Sequence, residues 1–346
     1  MRKFIVKSIV FLSPFIFLYL IISRLYSTDQ GDLFRAGYFH REDNYREQFR
    51  NEFQNPLHYQ DLSSIDTCLK PKYSVLVIGD SYSEMESISF TNYIAGNDSI
   101  SVLFFDIKSD IRSNNPVETL YSLVNGDFFD KIHIDYVVLE SCEREFAARA
   151  DLNPDNRIFV KDIVQVEKRQ SAKFKKNIPV NNAIVKYFVI NILRNFMEGS
   201  VSGVYRFESV KPVFSSKHEN EILVFVMDVR NLPMNSDIAA VSRINDVLNH
   251  LSALVAEKGS KLIVLPAPDK YSVYYDYIED RERYPQPVFF DILKPLEKQY
   301  IYIDSDEILK NAVSSGTTDV YFADDTHWSP VGAKLIAEAI KSKMKP

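Results

Sequence analysis

The sequence predicts an α/β protein with a central parallel sheet, an inserted middle region and an N-terminal membrane anchor. Short apolar, β-branched runs alternate with helical patterns before about residue 150 and again after about residue 235, and a long, almost uncharged apolar run begins at residue 4. Such alternation is typical of parallel strands joined by right-handed helical crossovers. The predicted organisation is a signal anchor at 1–24, a stalk and lead-in at 25–70, and one domain at 71–346 with an insertion at about 150–235.

The anchor is predicted from the first residues. Arg2, Lys3 and Lys7 precede or enter an apolar run that ends at Ile22, a length that fits either a short membrane span or a long signal-peptide core. Because no A-x-A-like cleavage site follows, the sequence favours an uncleaved anchor over a cleaved signal peptide. Positive charge before the span predicts a cytoplasmic N-terminus and an extracytoplasmic body, either periplasmic or on the cell surface.

Charge and composition argue against several classes of protein. The net charge is −6, and residues 1–24 carry four cations and no anions, so the remainder carries ten net negative charges. Nucleic acid is therefore not a predicted partner, because phosphate binding needs a basic surface. The chain has no C-x-x-C, no His/Cys cluster and no P-loop, so neither a metal nor a cofactor is predicted.

The first half of the domain contains three apolar runs that predict buried parallel strands. The first run, 73–78, is followed by a predicted helix from about 83 to 94. The remaining elements are a strand at 99–105, a helix at 116–124 and a strand at 135–139.

The inserted region contains a basic polar stretch and three predicted elements, and the regular alternation then resumes. The insertion holds the basic stretch at 161–176, a helix at 184–196, and strands at 204–207 and 222–227. After it we expect an amphipathic helix at 238–258, strands at 261–265 and 300–303, and a terminal helix at 331–343.

The first candidate site is the segment Gly79–Ser83, directly after the first strand. Ligands of open α/β sheets bind at the carboxyl ends of strands. Gly79 is expected to permit a sharp turn, and Ser81 to lie near the N-terminus of the next helix, where backbone N–H groups would stabilise an oxyanion. The alternative is an ordinary turn in which Ser81 caps that helix.

The second candidate site precedes the terminal helix and contains Asp324, Asp325 and His327. A serine nucleophile needs a base within hydrogen-bond reach, and the base needs an orienting carboxylate. Either aspartate could accept a hydrogen bond from the His327 ring. The alternative is a capping turn with a buried Trp328 and an incidental surface histidine. A standard α/β-hydrolase is disfavoured, because it carries its acid and its histidine on separate loops.

Four motifs together resemble the SGNH hydrolases over residues 70–345. They resemble in particular the branch that O-acetylates exported polysaccharides, the alginate O-acetyltransferase-like (AlgX/AlgJ-like) and DltD-like proteins. The motifs are Gly79–Ser83, Glu140–Arg144, Pro266–Lys270 followed by Tyr274, and Asp325–Trp328.

The resemblance implies an SGNH-type three-layer sandwich with Ser81 as nucleophile, His327 as general base and Asp325 as its orienter. Ser81, Tyr82, Arg144, Lys270 and Trp328 are the candidates for binding the oxyanion or the substrate. One departure is that no Gly-x-Asn-Asp follows the third strand, where ordinary SGNH esterases supply an oxyanion asparagine. Arg144 could instead form an ion pair with a nearby glutamate, and Lys270 could belong to a rigid turn.

These features give three functional hypotheses. The first is an O-acetyltransferase that moves an acetyl group through Ser81 to a hydroxyl of an exported or cell-surface polysaccharide, with a membrane-bound acyl-donor protein as its implied partner. The second is a carbohydrate esterase with the same triad, in which water replaces the sugar hydroxyl. The third is a non-catalytic glycan-binding assembly protein on a retained fold.

Overall fold

The structure, a computed structural model, describes residues 1–25, 31–33, 43–62, 71–97, 99–107, 114–153, 155–161, 189–190, 192–193, 196 and 199–344. The strands of these residues are β1 (Gln60–Asp61), β2 (Lys72–Gly79), β3 (Val102–Asp106), β4 (His133–Cys142), β5 (Val204–Glu208), β6 (Glu221–Phe225), β7 (Lys261–Ala267) and β8 (Ile301–Tyr302). The α-helices of the same residues are α1 (Arg2–Leu25), α2 (Asp43–Glu47), α3 (Arg50–Phe53), α4 (Phe90–Ala95), α5 (Pro116–Asn125), α6 (Phe128–Lys131), α7 (Glu143–Phe146), α8 (Val226–Arg230), α9 (Leu232–Asn235), α10 (Ile238–Glu257), α11 (Lys270–Tyr274), α12 (Phe289–Leu293), α13 (Ser305–Ser314) and α14 (Pro330–Lys343).

A parallel sheet forms the centre of the fold. Six of the described strands pair in the order β1-β3-β2-β4-β7-β8, every neighbouring pair parallel, and β5 pairs with β6 as an antiparallel hairpin. In β2, Val75 and Val77 face one apolar core, whereas Leu76 and Ile78 face the other. Burial of both faces explains the unbroken apolar runs in the sequence. The predicted α/β class with a central parallel sheet is therefore confirmed.

The strand order places a crevice beside β2. The chain leaves β2 for β3 on one side, and β4 then pairs with β2 on the other side. Ligands of open parallel sheets bind at such a reversal, outside the carboxyl ends of the strands. Since β2, β4 and β7 are consecutive in the sheet, the loops that follow them meet at this edge.

The segment after β2 differs from the prediction. The helix expected from residue 83 begins only at Phe90, after a turn and one 3₁₀ turn at Glu86–Ile88. Glu86 has a φ of 47°, a left-handed conformation that a continuous α-helix cannot contain. Ser89 caps α4, because its side chain accepts a hydrogen bond from Asn92 N at 3.1 Å. The expectation that a helix N-terminus lies next to Ser81 is therefore wrong.

The predicted strands at 204–207 and 222–227 are confirmed as β5 and β6, with small shifts at their ends. Most of the predicted basic stretch at 161–176 and of the predicted helix at 184–196 lies outside the described residues. The predicted helices at 238–258 and 331–343 are confirmed as α10 and α14. Ser329 caps α14 by accepting a hydrogen bond from Val331 N at 2.9 Å.

Helix α1 stands out by its exposure. The segment Arg2–Ile22 has a mean hydropathy of 2.3, and only 6% of it is buried. By length and composition it could cross a membrane, the one helix of the described residues that could. A single N-terminal helix of this kind fits either a membrane anchor or a signal sequence.

Candidate active site

The first candidate site lies in a tight turn at the carboxyl end of β2. Ser83 N donates to Asp80 O at 3.0 Å, and Ser81, within this turn, is half-buried. Gly79 does not have a positive φ, so glycine is not needed here for the backbone freedom expected of a sharp turn. A Cβ on Gly79 would lie 2.5 Å from both Glu140 Oε2 and Ser83 Oγ. Glycine is therefore required by the close approach of β4.

Asp80 fixes this turn to the neighbouring loop. Its Oδ2 accepts hydrogen bonds from Cys142 N at 2.8 Å and Arg149 Nη2 at 3.1 Å, while its own N–H donates to Glu140 Oε2 at 2.9 Å. Burial acts to raise the pKa of Asp80, but the Arg149 charge and these hydrogen bonds lower it below its usual range. For Glu140, burial and the adjacent charge of Asp80 raise the pKa well above its usual range. The base of the turn is thus a fixed polar network, shielded from water.

The second candidate site contains an aspartate–histidine pair. His327 Nδ1 lies 2.6 Å from Asp325 Oδ1, and His327 N donates to the same oxygen at 3.1 Å. The Asp324 carboxylate instead accepts hydrogen bonds from Gly31 N at 3.0 Å and from the Arg46 guanidinium at 2.8 and 3.2 Å. Asp325 is therefore the carboxylate that orients the His327 ring.

The other ring nitrogen of His327, Nε2, is not engaged by Asp325. Nε2 is buried and has no hydrogen-bond partner in the described part of the chain. Burial acts to lower the pKa of His327, but the hydrogen bond and charge of Asp325 and the charge of Asp32 raise it above 6.5. Nδ1 is occupied by Asp325, so Nε2 is the nitrogen left to take a proton.

Tyr82 joins the Ser81 turn to the loop that carries His327. The Tyr82 ring centroid lies 5.1 Å from that of His327 and 4.7 Å from that of Trp328. The Tyr82 hydroxyl donates to Thr326 O at 3.0 Å. The structure thus brings the two candidate sites together at one edge of the sheet. Tyr82 and Trp328 are both buried, and they pack between the two loops.

Arg144 lies in α7, two residues beyond the end of β4. Its Nη1 donates to Asp269 at 2.6 Å and lies 3.4 Å from Asp228, and its side chain is only 11% exposed. Burial raises the pKa of Asp269 to about 6, although the charge of Arg144 lowers it. Arg144 thus forms an ion pair, but with two aspartates rather than with the expected glutamate.

Lys270 is fully buried beneath the His327 loop. Its Nζ donates to the carbonyl oxygens of Phe322 at 2.6 Å, Ala323 at 3.0 Å and Asp325 at 3.3 Å. Burial lowers the pKa of Lys270 to about 8, even though Asp324 and Asp325 raise it. In this position Lys270 supports the backbone just before His327.

Residues of the predicted stalk and lead-in contact the same loop, which the sequence did not suggest. Asp32 accepts hydrogen bonds from Thr326 N at 2.9 Å and Thr326 Oγ1 at 3.0 Å. The hydroxyl of Tyr45 accepts a hydrogen bond from Ala323 N at 2.8 Å. These contacts join residues 294 and 278 positions apart in the chain, and no local spacing pattern indicates them.

Comparison with known proteins gives one family. Residues 228–346 match the family described as "SGNH hydrolase-like domain, acetyltransferase AlgX". No curated protein and no solved structure matches the chain. The matched segment contains β7, β8 and the Asp325–His327 pair, whereas Ser81 lies outside it. In its C-terminal third, the chain is similar to the SGNH hydrolase-like acetyltransferases of the AlgX family.

Proposed function

We propose that the protein is an O-acetyltransferase that moves an acetyl group through Ser81 to hydroxyls of an exported or cell-surface polysaccharide. The observation that carries the proposal is the state of His327, whose Nδ1 is bound by Asp325 and whose buried Nε2 has no partner among the described residues, while its ring packs against Tyr82 of the Ser81 turn. The family match supports acetyltransfer on a polysaccharide as the class of reaction.

The mechanism has two steps. His327 Nε2 takes the proton from Ser81 Oγ as this oxygen attacks the acetyl carbonyl carbon, and the same proton then passes to the departing oxygen of the donor. In the second step His327 takes the proton of a sugar hydroxyl, whose oxygen attacks the acetyl-serine. The sugar ester forms, and the proton returns to Ser81. Asp325 keeps Nδ1 protonated and stabilises the imidazolium in both steps.

Tyr82, Arg144, Lys270 and Trp328 have supporting roles in this proposal. Tyr82, Lys270 and Trp328 hold the two loops in register, since each is buried between or beneath them. Arg144 is close enough for its charge to act on His327, and we assign it to the oxyanion or the substrate. The backbone N–H of Ser81 remains the other predicted oxyanion donor.

The esterase hypothesis uses the same residues and differs only in the acceptor. The similarity of residues 228–346 to the AlgX acetyltransferase family favours transfer over hydrolysis. A panel of neutral and acidic oligosaccharides, added to enzyme and p-nitrophenyl acetate, would separate the two. Ester on the oligosaccharide supports the transferase, whereas acetate as the sole product supports the esterase.

The catalytic assignment is tested with p-nitrophenyl acetate hydrolysis by the full-length protein. We expect Ser81→Ala and His327→Ala to lower kcat by about 10³-fold or more. The exposed residues Ser342 and His250 provide matched controls as Ser342→Ala and His250→Ala. Equal rates for wild type and Ser81→Ala would favour the glycan-binding hypothesis instead.

For localisation we propose an uncleaved anchor formed by α1, with the domain outside the cytoplasmic membrane. The exposed apolar surface of α1 and the three cations at its start support this topology. Gly31, which binds Asp324, is six residues beyond Leu25, so this tether spans at most about 20 Å. The site would then lie close to the membrane, where a membrane-bound acyl-donor protein could reach it. Protease digestion of intact spheroplasts tests the topology, and resistance of the domain would contradict it.

A further inference from the structure

A short N-terminal segment forms hydrogen bonds with the loop that carries His327. Gly31 N donates to Asp324 Oδ2 at 3.0 Å, and Leu33 N donates to Asp324 O at 3.0 Å. Between them, Asp32 accepts the two hydrogen bonds of Thr326 already described. Leu33 is itself fully buried against Val204 and Leu223 of the β5–β6 hairpin, outside the loop. We call Gly31–Leu33 together with Arg46 the N-terminal clamp.

Arg46 acts on the carboxylates of the same loop. Its guanidinium forms a two-pronged contact with Asp324, at 2.8 and 3.2 Å, and Nη2 also lies 3.2 Å from Asp325 Oδ2. The other oxygen of Asp325, Oδ1, binds His327. The guanidinium also stacks over Phe322, 4.2 Å from the ring centroid. Arg46 therefore fixes the rotation of the Asp325 carboxylate, since one oxygen is bound on each side.

The loop depends on such contacts because little regular backbone pairing holds it. Residues 322–329 belong to no helix or strand, and the nearest backbone pairing is a single bridge between Tyr321 and Trp328. The clamp bonds end on the three residues that directly precede His327. Burial acts to raise the pKa of Asp325, but His327 and Arg46 lower it below its usual range.

We propose that the N-terminal clamp sets the position of His327 for catalysis, so that Asp32 and Arg46 are positioning residues of the Ser81 site. This inference rests on the proposed function. It adds two residues from outside the SGNH-like motifs, and it makes activity depend on the segment that links the domain to α1. A small displacement of a catalytic group can lower the rate about 100-fold.

The test uses full-length protein in detergent with p-nitrophenyl acetate. For Arg46→Gln and Asp32→Ala we expect kcat to fall about 10- to 100-fold while KM changes by less than about twofold. Arg46→Lys should lose less kcat than Arg46→Gln, because lysine keeps the positive charge but not the forked geometry of the guanidinium. Arg283→Gln and Glu257→Gln remove exposed charges elsewhere and serve as controls.

The pH profile separates positioning from mere stabilisation. The charged and aromatic groups that face His327 are Asp325 on its own loop, Asp32 in the clamp, Arg144 after β4 and the Tyr82 ring. Asp32 raises the pKa of His327, so Asp32→Asn should move the acidic limb of the rate to lower pH. The shift is expected to be small, because Asp32 is exposed and solvent screens its charge.

Hydrogen exchange provides a readout that does not need catalysis. Thr326 N donates to Asp32, so Asp32→Ala should raise amide exchange in the peptide 322–329 and leave the control peptides of α10 unchanged. The inference is overturned if both clamp variants show the kcat, the pH profile and the amide exchange of the wild-type protein, provided that the wild-type protein shows Ser81-dependent turnover. If wild type shows no Ser81-dependent turnover, the proposed function fails, and exchange alone still decides whether the clamp positions the loop.

Discussion

Replacing Lys270 by methionine tests how the His327 loop is supported. Methionine has a similar length and no charge, so the change removes the three hydrogen bonds from Nζ to the loop carbonyls. Each carbonyl left unpaired in the interior costs about 1–3 kcal/mol. The lysine charge is itself unfavourable there, since burial lowers its pKa from 10.5 to about 8, which corresponds to about 3 kcal/mol.

The loss of hydrogen bonds outweighs the relief of the buried charge. We therefore expect Lys270→Met to lower the free energy of unfolding by about 3 kcal/mol at pH 7. Because carbonyls just before His327 lose their support, kcat should fall about tenfold as well. The control is Lys343→Met, on an exposed lysine at the end of α14.

Chemical denaturation and p-nitrophenyl acetate turnover measure the two effects. The wild-type protein should also gain stability as pH rises from about 8 to 10.5, because the unfolded state then holds the Lys270 proton more tightly than the folded state. The variant lacks this group and should lose that gain. Stability and kcat equal to those of the control would refute the support role of Lys270.

Three further predictions concern the same site. Gly79→Ala should lower the free energy of unfolding by about 1–3 kcal/mol, since the new Cβ would collide with Glu140; thermal unfolding tests this. The acidic limb of the pH–rate profile should lie at higher pH than for an ordinary histidine, because Asp325 raises the pKa of His327 and the base must be unprotonated. A limb at lower pH than that would contradict the prediction. Asp325→Asn should lower kcat about 10²- to 10⁴-fold, whereas Asp324→Asn should lower it less than about tenfold. A larger loss of kcat in Asp324→Asn than in Asp325→Asn, measured by steady-state kinetics, would reject Asp325 as the orienting acid.

The central sheet could be predicted because each of its strands leaves a pattern in a short stretch of sequence. Each strand buried on both faces appears as a short β-branched run, as in β2 and β7. The Ser81 turn and the His327 loop could be placed as well, since each lies between a strand-like run and a helix. The spacing of residues left Asp324 and Asp325 open, and only the family resemblance implied Asp325. Gly79 was expected to permit a sharp turn, whereas the structure requires glycine there for space beside Glu140.

The supporting contacts of the site could not be predicted, because they join distant parts of the chain. Asp32 and Arg46 lie in the polar segment that the sequence places before the domain. No nearby residue pattern indicates that they contact the His327 loop. The ion pair of Arg144 with Asp228 similarly reaches into the inserted region. The start of α4 was misjudged because the left-handed Glu86 interrupts a pattern that favours a helix.

The most direct test of the account is to trap the acetyl-enzyme. Full-length protein is mixed with p-nitrophenyl acetate, quenched in acid and analysed by peptide mass mapping, alongside Ser81→Ala and His327→Ala. The account predicts one acetyl group on the wild-type peptide that contains Ser81, and none above background in either variant. Acetylation that persists in Ser81→Ala, or that maps to another residue, would contradict Ser81 as the nucleophile.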